Sequence, residues 1–123
     1  MSANKSTVEK YMQGFRESNH ATILSCLTDD VTWQMPGVYK HIGKEAFDKE
    51  IENENFIGSP TIQVHRLIEE DNVVIAEGAV QGAMKNGGKL DAVFCDVFVF
   101  ENGKIKELTS YLMTLNTSLK FEQ

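Results

Sequence analysis

Asp96 is the residue of this sequence best placed to do chemistry, because it interrupts the otherwise apolar run of residues 92–100. If this run is a β-strand, its period of two places Phe94, Asp96 and Phe98 on one face. Burial between aromatic rings raises the pKa of a carboxyl group by up to about 3–5 units, which suits proton transfer near neutral pH. The alternatives are a structural acid, hydrogen-bonded by a tyrosine or a backbone N–H, or a solvent-facing carboxylate.

Tyr11 is a second candidate functional residue. It lies on the apolar face of a predicted helix, and its hydroxyl needs a hydrogen-bond partner when buried, although an ordinary core tyrosine has the same pattern. Trp33 and Met35 alternate on a short predicted strand and are expected to form the wall of an apolar site, unless they belong to the core. The other expected substrate-binding residues are Phe47, Ile51, Phe94, Phe98, Leu108, Ser110 and Leu112.

Two further polar side chains are candidate substrate contacts. Glu77 would be an alternative base if its strand face points inward, but a solvent-facing position is preferred because Val74, Ala76 and Val80 form the apolar face. His41 lies in a predicted loop and is placed over the pocket mouth, the alternative being a solvated histidine. The histidines lack the spacing of a metal site, so we expect no metal.

The elements that position these residues follow from the spacing of caps and apolar residues. Ser6 and Glu9 predict a capping box at the start of a first helix, Asn19 predicts the cap of a second, and residues 44–55 predict a third. Residues 31–35 predict a short strand before the third helix. Four further strands, joined by short hairpin loops, are predicted over residues 61–68, 73–84, 89–100 and 104–115.

This order of elements predicts an α+β fold, in which three helices pack on one face of a curled antiparallel sheet. The strand of residues 89–100 is apolar on both faces, whereas a sheet with one face in water alternates apolar with polar residues. A second subunit is therefore expected to cover the outer face, giving a homodimer.

Composition restricts the class of protein. The 123 residues are expected to form one domain, residues 1–123, and the net charge of −6 without a basic cluster disfavours nucleic acid and anionic membrane surfaces as partners. No apolar run has the length of a signal peptide core or a membrane helix, which predicts a cytoplasmic location. Cys26 and Cys95 are expected to be reduced, buried thiols.

Three segments carry a resemblance to a known family: "TDDVTW" after the second helix, "GKEAF" at the start of the third, and "DVFVFENGKI" near the end. In this order they resemble the nuclear transport factor 2-like superfamily, and within it the branch of ketosteroid isomerases and SnoaL-like polyketide cyclases. The resemblance implies a cone-shaped sheet around a deep apolar pocket, a dimer through the outer sheet face and catalysis without a cofactor.

The resemblance also implies roles for particular residues. Asp96 and Tyr11 match the Asp and Tyr that bind the substrate oxygen in ketosteroid isomerases, but Met35 stands where those enzymes keep their general base. A thioether cannot accept a proton from carbon, so Asp96 itself is the expected acid/base, as in the cyclases. The predicted function is binding of a small hydrophobic carbonyl compound, with isomerisation, cyclisation or dehydration. The alternative is a binding or dimeric interaction module of the same fold without catalysis.

Overall fold

The computed structural model describes residues 2–52 and 54–116, and these residues form three helices and one six-stranded, curled and unclosed sheet. This arrangement confirms the predicted α+β cone. The elements in chain order are α1 Ala3–Arg16, α2 His20–Ser25, β1 Leu27–Met35, β2 Tyr39–Ile42, α3 Lys44–Ile51, β3 Phe56–Glu70, β4 Val73–Met84, β5 Lys89–Glu101 and β6 Lys104–Thr114.

The strands lie in the order β2-β1-β6-β5-β4-β3. The meander from β3 to β6 is antiparallel throughout, as predicted, whereas β1 pairs with β6 in parallel. A parallel neighbour needs a long crossover connection, and here helix α3 and the meander provide it. The pairing brings Trp33 opposite Leu108, close to the middle of β6.

Strand β2 corrects the prediction of a loop at His41. The backbone N–H of Val38 donates to the carbonyl of Met35 at 2.9 Å and closes a turn, in which Gly37 has a φ of 82°. Tyr39–Ile42 then pairs back on β1. Only four residues pair, which is too short a run to show a strand period in the sequence.

The ends of the helices differ from the prediction in two places. Ser2, rather than Ser6, is the N-cap of α1, and its hydroxyl accepts from the backbone N–H of Lys5 at 3.1 Å. Asn19 caps α2 as predicted. Helix α3 ends at Ile51 instead of residue 55, and β3 begins at Phe56. Strand β3 then passes through Pro60, where its register with β4 shifts. A proline has no N–H for the ladder and is tolerated at such irregular positions.

The core lies between α1, α3 and the concave face of the sheet, with Phe47 and Phe98 among its largest fully buried side chains. Gly78 of β4 lies on this concave face opposite Phe94. A Cβ at Gly78 would come within 2.0 Å of the carbonyl oxygen of Gln63 and 3.0 Å of the Phe94 ring. Because Gly78 has no side chain, the Gln63 carbonyl can approach it closely and the Phe94 ring has room beside the pocket.

Candidate functional site

A pocket opens between α1, α3 and the concave face of the sheet, and it has two chambers. The inner chamber has a volume of about 120 Å³ and the outer one of about 400 Å³. The chambers share six lining residues and so form one pocket: Phe15, Trp33, Met35, Ile62, Val80 and Leu112. Tyr11, Met12, Phe94, Asp96 and Ser110 line the inner chamber alone.

Asp96 provides the carboxyl group of the inner chamber. It lies on β5, opposite Ala76 of β4 on one side and Ser110 of β6 on the other. Asp96 is therefore held in the interior of the sheet and not at an edge. Burial raises the pKa of Asp96 from 3.8 to about 7, and the hydrogen bond from Ser110 opposes this increase. Both the protonated and the ionised form of Asp96 are therefore populated near neutral pH.

Ser110 joins Asp96 to Trp33 in a short hydrogen-bonded chain. The Trp33 Nε1–H donates to Ser110 Oγ at 3.0 Å, which leaves the Ser110 hydroxyl hydrogen for Asp96. The Trp33 ring is held by stacking on Phe47, with 4.4 Å between the ring centroids. Ser110 was expected as a wall residue, and the structure shows that it also orients the Asp96 carboxyl group.

Tyr11 lines the inner chamber together with Asp96. Its ring is 3% exposed and makes an edge contact with Phe98 at 5.2 Å between centroids. Burial, followed by the nearby charge of Asp96, raises the pKa of Tyr11 well above its usual value. The Tyr11 hydroxyl is therefore protonated at physiological pH and available as a hydrogen-bond donor.

Met35 lies where both chambers meet, at the end of β1. Its thioether is at most a weak hydrogen-bond acceptor and does not act as a base. Among the residues that the structure describes, Asp96 is the only carboxylate that lines the inner chamber. A carboxylate base in this chamber is thus Asp96.

Five of the predicted substrate-binding residues lie away from the pocket lining. Phe47, Phe98 and Leu108 are core residues with 0–1% exposure, because they lie deeper than the chamber walls. Glu77 lies on the opposite face of β4 from Ala76, and its Oε1 accepts from Arg66 Nε at 2.7 Å among exposed side chains. His41 contacts Glu50 instead of the pocket. Trp33, Met35, Ile51, Phe94, Ser110 and Leu112 do line the pocket.

Tyr39 and Glu50 are polar lining residues of the outer chamber that the sequence did not reveal. The Tyr39 ring stacks on His41 with 4.5 Å between centroids, and Glu50 Oε1 lies 2.9 Å from His41 Nε2. Burial raises the pKa of Tyr39, and the charges of Glu50 and Asp96 add to the increase. Tyr39 and His41 alternate after a Pro-Gly turn, but a run of four paired residues is too short for this spacing to predict the strand.

The described residues, 2–52 and 54–116, contain no group of three His, Cys, Asp or Glu side chains that could hold a metal ion. Over the same residues, no helix has both the length and the apolar character needed to cross a bilayer.

Solved structures with the same fold confirm the architecture. A nuclear transport factor 2-like protein of unknown function from Burkholderia pseudomallei is 20% identical, with 92% of both chains covered and a TM-score of 0.83. An epoxide hydrolase from M. tuberculosis is 16% identical over 90% of this chain and 83% of its own, with a TM-score of 0.79. TerC, co-crystallised with polyporic acid, is 19% identical over 89% of this chain and 90% of its own, with a TM-score of 0.78.

These identities establish the fold alone. No protein of curated function matches the chain significantly in sequence. The family model described as a SnoaL-like domain matches residues 8–108, which include most of α1, the whole of β5 and β6 as far as Leu108. The chain therefore belongs to the SnoaL-like domain family and has a nuclear transport factor 2-like fold.

Proposed function

We propose that this protein binds a small hydrophobic carbonyl compound and uses Asp96 as the acid/base of a cofactor-independent isomerisation, cyclisation or dehydration. The family includes small-molecule-binding proteins and enzymes of the isomerase and hydrolase types. The observation that carries the proposal is the Asp96 carboxyl group, with a pKa of about 7, at the inner end of a pocket with mainly apolar walls. A carboxyl group with this pKa gives and takes protons near neutral pH.

The common step of these reactions is formation of an enol or enolate. Ionised Asp96 takes a proton from the carbon beside the carbonyl, and the electron pair of the broken C–H bond becomes the new C=C bond. The Tyr11 hydroxyl donates to the carbonyl oxygen, which gains negative charge during this step. A donor already in place at such an oxygen stabilises the transition state. Protonated Asp96 then returns the proton to the same carbon or to another one.

Exchange of carbon-bound hydrogen for deuterium tests the proposed step. We expect the protein to speed deuterium uptake at the carbon beside the carbonyl of α-tetralone in deuterium oxide, followed by NMR. Since general acid/base groups contribute about 10²–10⁴-fold to a rate, Asp96→Asn should slow the exchange at least about 100-fold.

Asp91→Asn is the matched control, because Asp91 lies on β5 outside the pocket lining and its carboxylate accepts from Gln81 at 3.2 Å. It should retain the wild-type exchange rate. An Asp96→Asn variant with undiminished exchange would contradict the catalytic role.

A second candidate function is ligand binding without catalysis, and Met35 is the observation that favours it. A base position occupied by a thioether leaves the inner chamber with a single carboxylate among the described residues. A binding module predicts that α-tetralone raises the thermal unfolding midpoint while deuterium uptake stays at the background rate.

The homodimer also belongs to this proposal. Large apolar side chains lie exposed on the convex face of the sheet: Ile68, Val93, Tyr111 and Met113. Several large apolar side chains exposed on one sheet face are typical of protein contacts. We further propose that residues 1–123 are one domain. The cytoplasmic location stays a prediction from the sequence.

A further inference from the structure

The pocket has polar groups at both ends, and only the inner end takes part in the proposed chemistry. From the outer end, where Tyr39 and Glu50 line the larger chamber, we infer that the ligand carries a second polar group, a hydroxyl or an amine, that donates a hydrogen bond to Glu50. This inference rests on the proposed function and names the substrate class more narrowly. The ligand is a hydrophobic carbonyl compound with a hydrogen-bond donor at its far end.

Glu50 is held in place by β2. His41 Nε2 lies 2.9 Å from Glu50 Oε1, the two side chains are only 26% and 19% exposed, and His41 is stacked on Tyr39. These contacts cross from α3 to β2, so the carboxylate is fixed relative to the pocket wall. A carboxylate fixed in this way loses less conformational entropy when it binds a ligand than a free surface glutamate does.

The wall between the two polar ends is apolar and continuous. Trp33 spans it, because its Nε1–H donates to Ser110 at the inner end while its ring lies 5.3 Å from the Tyr39 ring, between centroids, at the outer end. An indole is a system of two fused rings. We therefore choose a ligand body of two fused rings as the probe, because a flat body of that size can lie along the Trp33 wall shared by both chambers.

The carboxylates that line the outer chamber determine which polar group the ligand can carry at its far end. A carboxylate only accepts hydrogen bonds, so the partner group on the ligand must be a donor. Glu52 also lines this chamber, with its Oε2 2.5 Å from His20 Nε2. Two carboxylates at one mouth disfavour ligands with a carboxylate or phosphate at the far end, because like charges repel in a partly desolvated site.

Two ketones of the same shape test the inference. One is α-tetralone, and the other is its derivative with a hydroxyl on the aromatic ring, para to the carbon that carries the carbonyl group. Hydrogen bonds to charged groups contribute more than neutral ones, so we expect calorimetry to show the hydroxylated ketone binding about 5- to 30-fold more tightly. Glu50→Gln should remove most of this preference.

Glu45→Gln is the matched control, since Glu45 lies on the same helix, is 89% exposed and contacts Lys49 rather than the pocket. It should keep the wild-type preference. Equal affinities of the two ketones for the wild-type protein would overturn this inference and leave the proposed function standing, and so would an unchanged preference in Glu50→Gln. If neither ketone binds, both the inference and the proposed function are wrong.

Discussion

Asp96, a buried carboxyl group, makes the stability of this protein depend on pH. The pKa of Asp96 rises from an unperturbed value of 3.8 to about 7 in the folded chain, mainly because of burial. Between these values the folded state holds a proton that the unfolded state has lost. Folding stability therefore falls as the pH rises through this window, since the unfolded state binds fewer protons.

We expect the Asp96→Asn variant to gain stability over the wild type as the pH increases from about 4 to about 8. The gain is at most roughly 4 kcal/mol, because each unit of pKa shift corresponds to about 1.4 kcal/mol. The amide oxygen of the substituted side chain can still accept from Ser110, and Tyr11 and Tyr39, whose charges would also act on this position, stay neutral over this range. Urea denaturation of both proteins at several pH values measures the difference. A difference that does not change with pH would show that Asp96 is ionised throughout.

The position of Asp96 in the pocket could be predicted from the sequence, whereas the polar residues around the pocket could be predicted only in part. The catalytic role of Asp96 stays a prediction. Strand alternation placed Asp96 on the concave face, because antiparallel hairpins with short loops leave little freedom of register. Tyr39 and Glu50 were missed because their position depends on contacts between β2 and α3, which local spacing does not contain. Phe98 was assigned to the wall because wall and core residues of one strand face have the same sequence pattern.

At the scale of elements, the cap of α1 shows how local patterns can compete. Ser2 and Ser6 both precede helix-forming residues, and Ser6 has a glutamate three positions later. The structure places the cap at Ser2, whose hydroxyl also contacts Glu69 of β3. This second contact ties the start of α1 to the sheet, a long-range effect that the sequence pattern does not show.

Replacing these two serines separately distinguishes the cap from the helix interior. Ser2→Ala should lower the free energy of unfolding by about 0.5–2 kcal/mol, the usual cost of losing an N-cap side chain. Ser6→Ala is the matched control and should leave stability unchanged or slightly higher, since alanine favours helix interiors. Chemical denaturation measures both. A larger loss for Ser6→Ala than for Ser2→Ala would place the functional cap at Ser6.

At the scale of the whole molecule, the two faces of the sheet differ in what covers them. The concave face lines the pocket and contacts the helices, and the convex face exposes 38% of Val93 and 68% of Met113. The predicted fold was confirmed because helices before a meander leave few ways to cover one sheet face. The parallel pairing of β1 with β6 was not predicted, since it depends on a crossover that the order of elements does not specify.

We expect sedimentation of the wild-type protein to give a molecular mass about twice the chain mass of 13.8 kDa. The double variant Val93→Lys and Met113→Lys should sediment as a monomer, because burying two lysine charges in an apolar interface is costly. Ala21→Lys, at an exposed position of helix α2 away from the convex face of the sheet, should leave the mass unchanged. Sedimentation velocity of the three proteins measures this. A monomeric wild type would refute the dimer.

The position of Trp33 makes the pocket observable without a label. It is the only tryptophan in the sequence, and its indole touches both chambers through Ser110 at one end and Tyr39 at the other. A molecule that enters either chamber changes the polarity and hydrogen bonding around this one fluorophore. The intrinsic emission of the protein is consequently a direct optical signal of occupancy, and large collections of compounds can be screened with the unmodified chain.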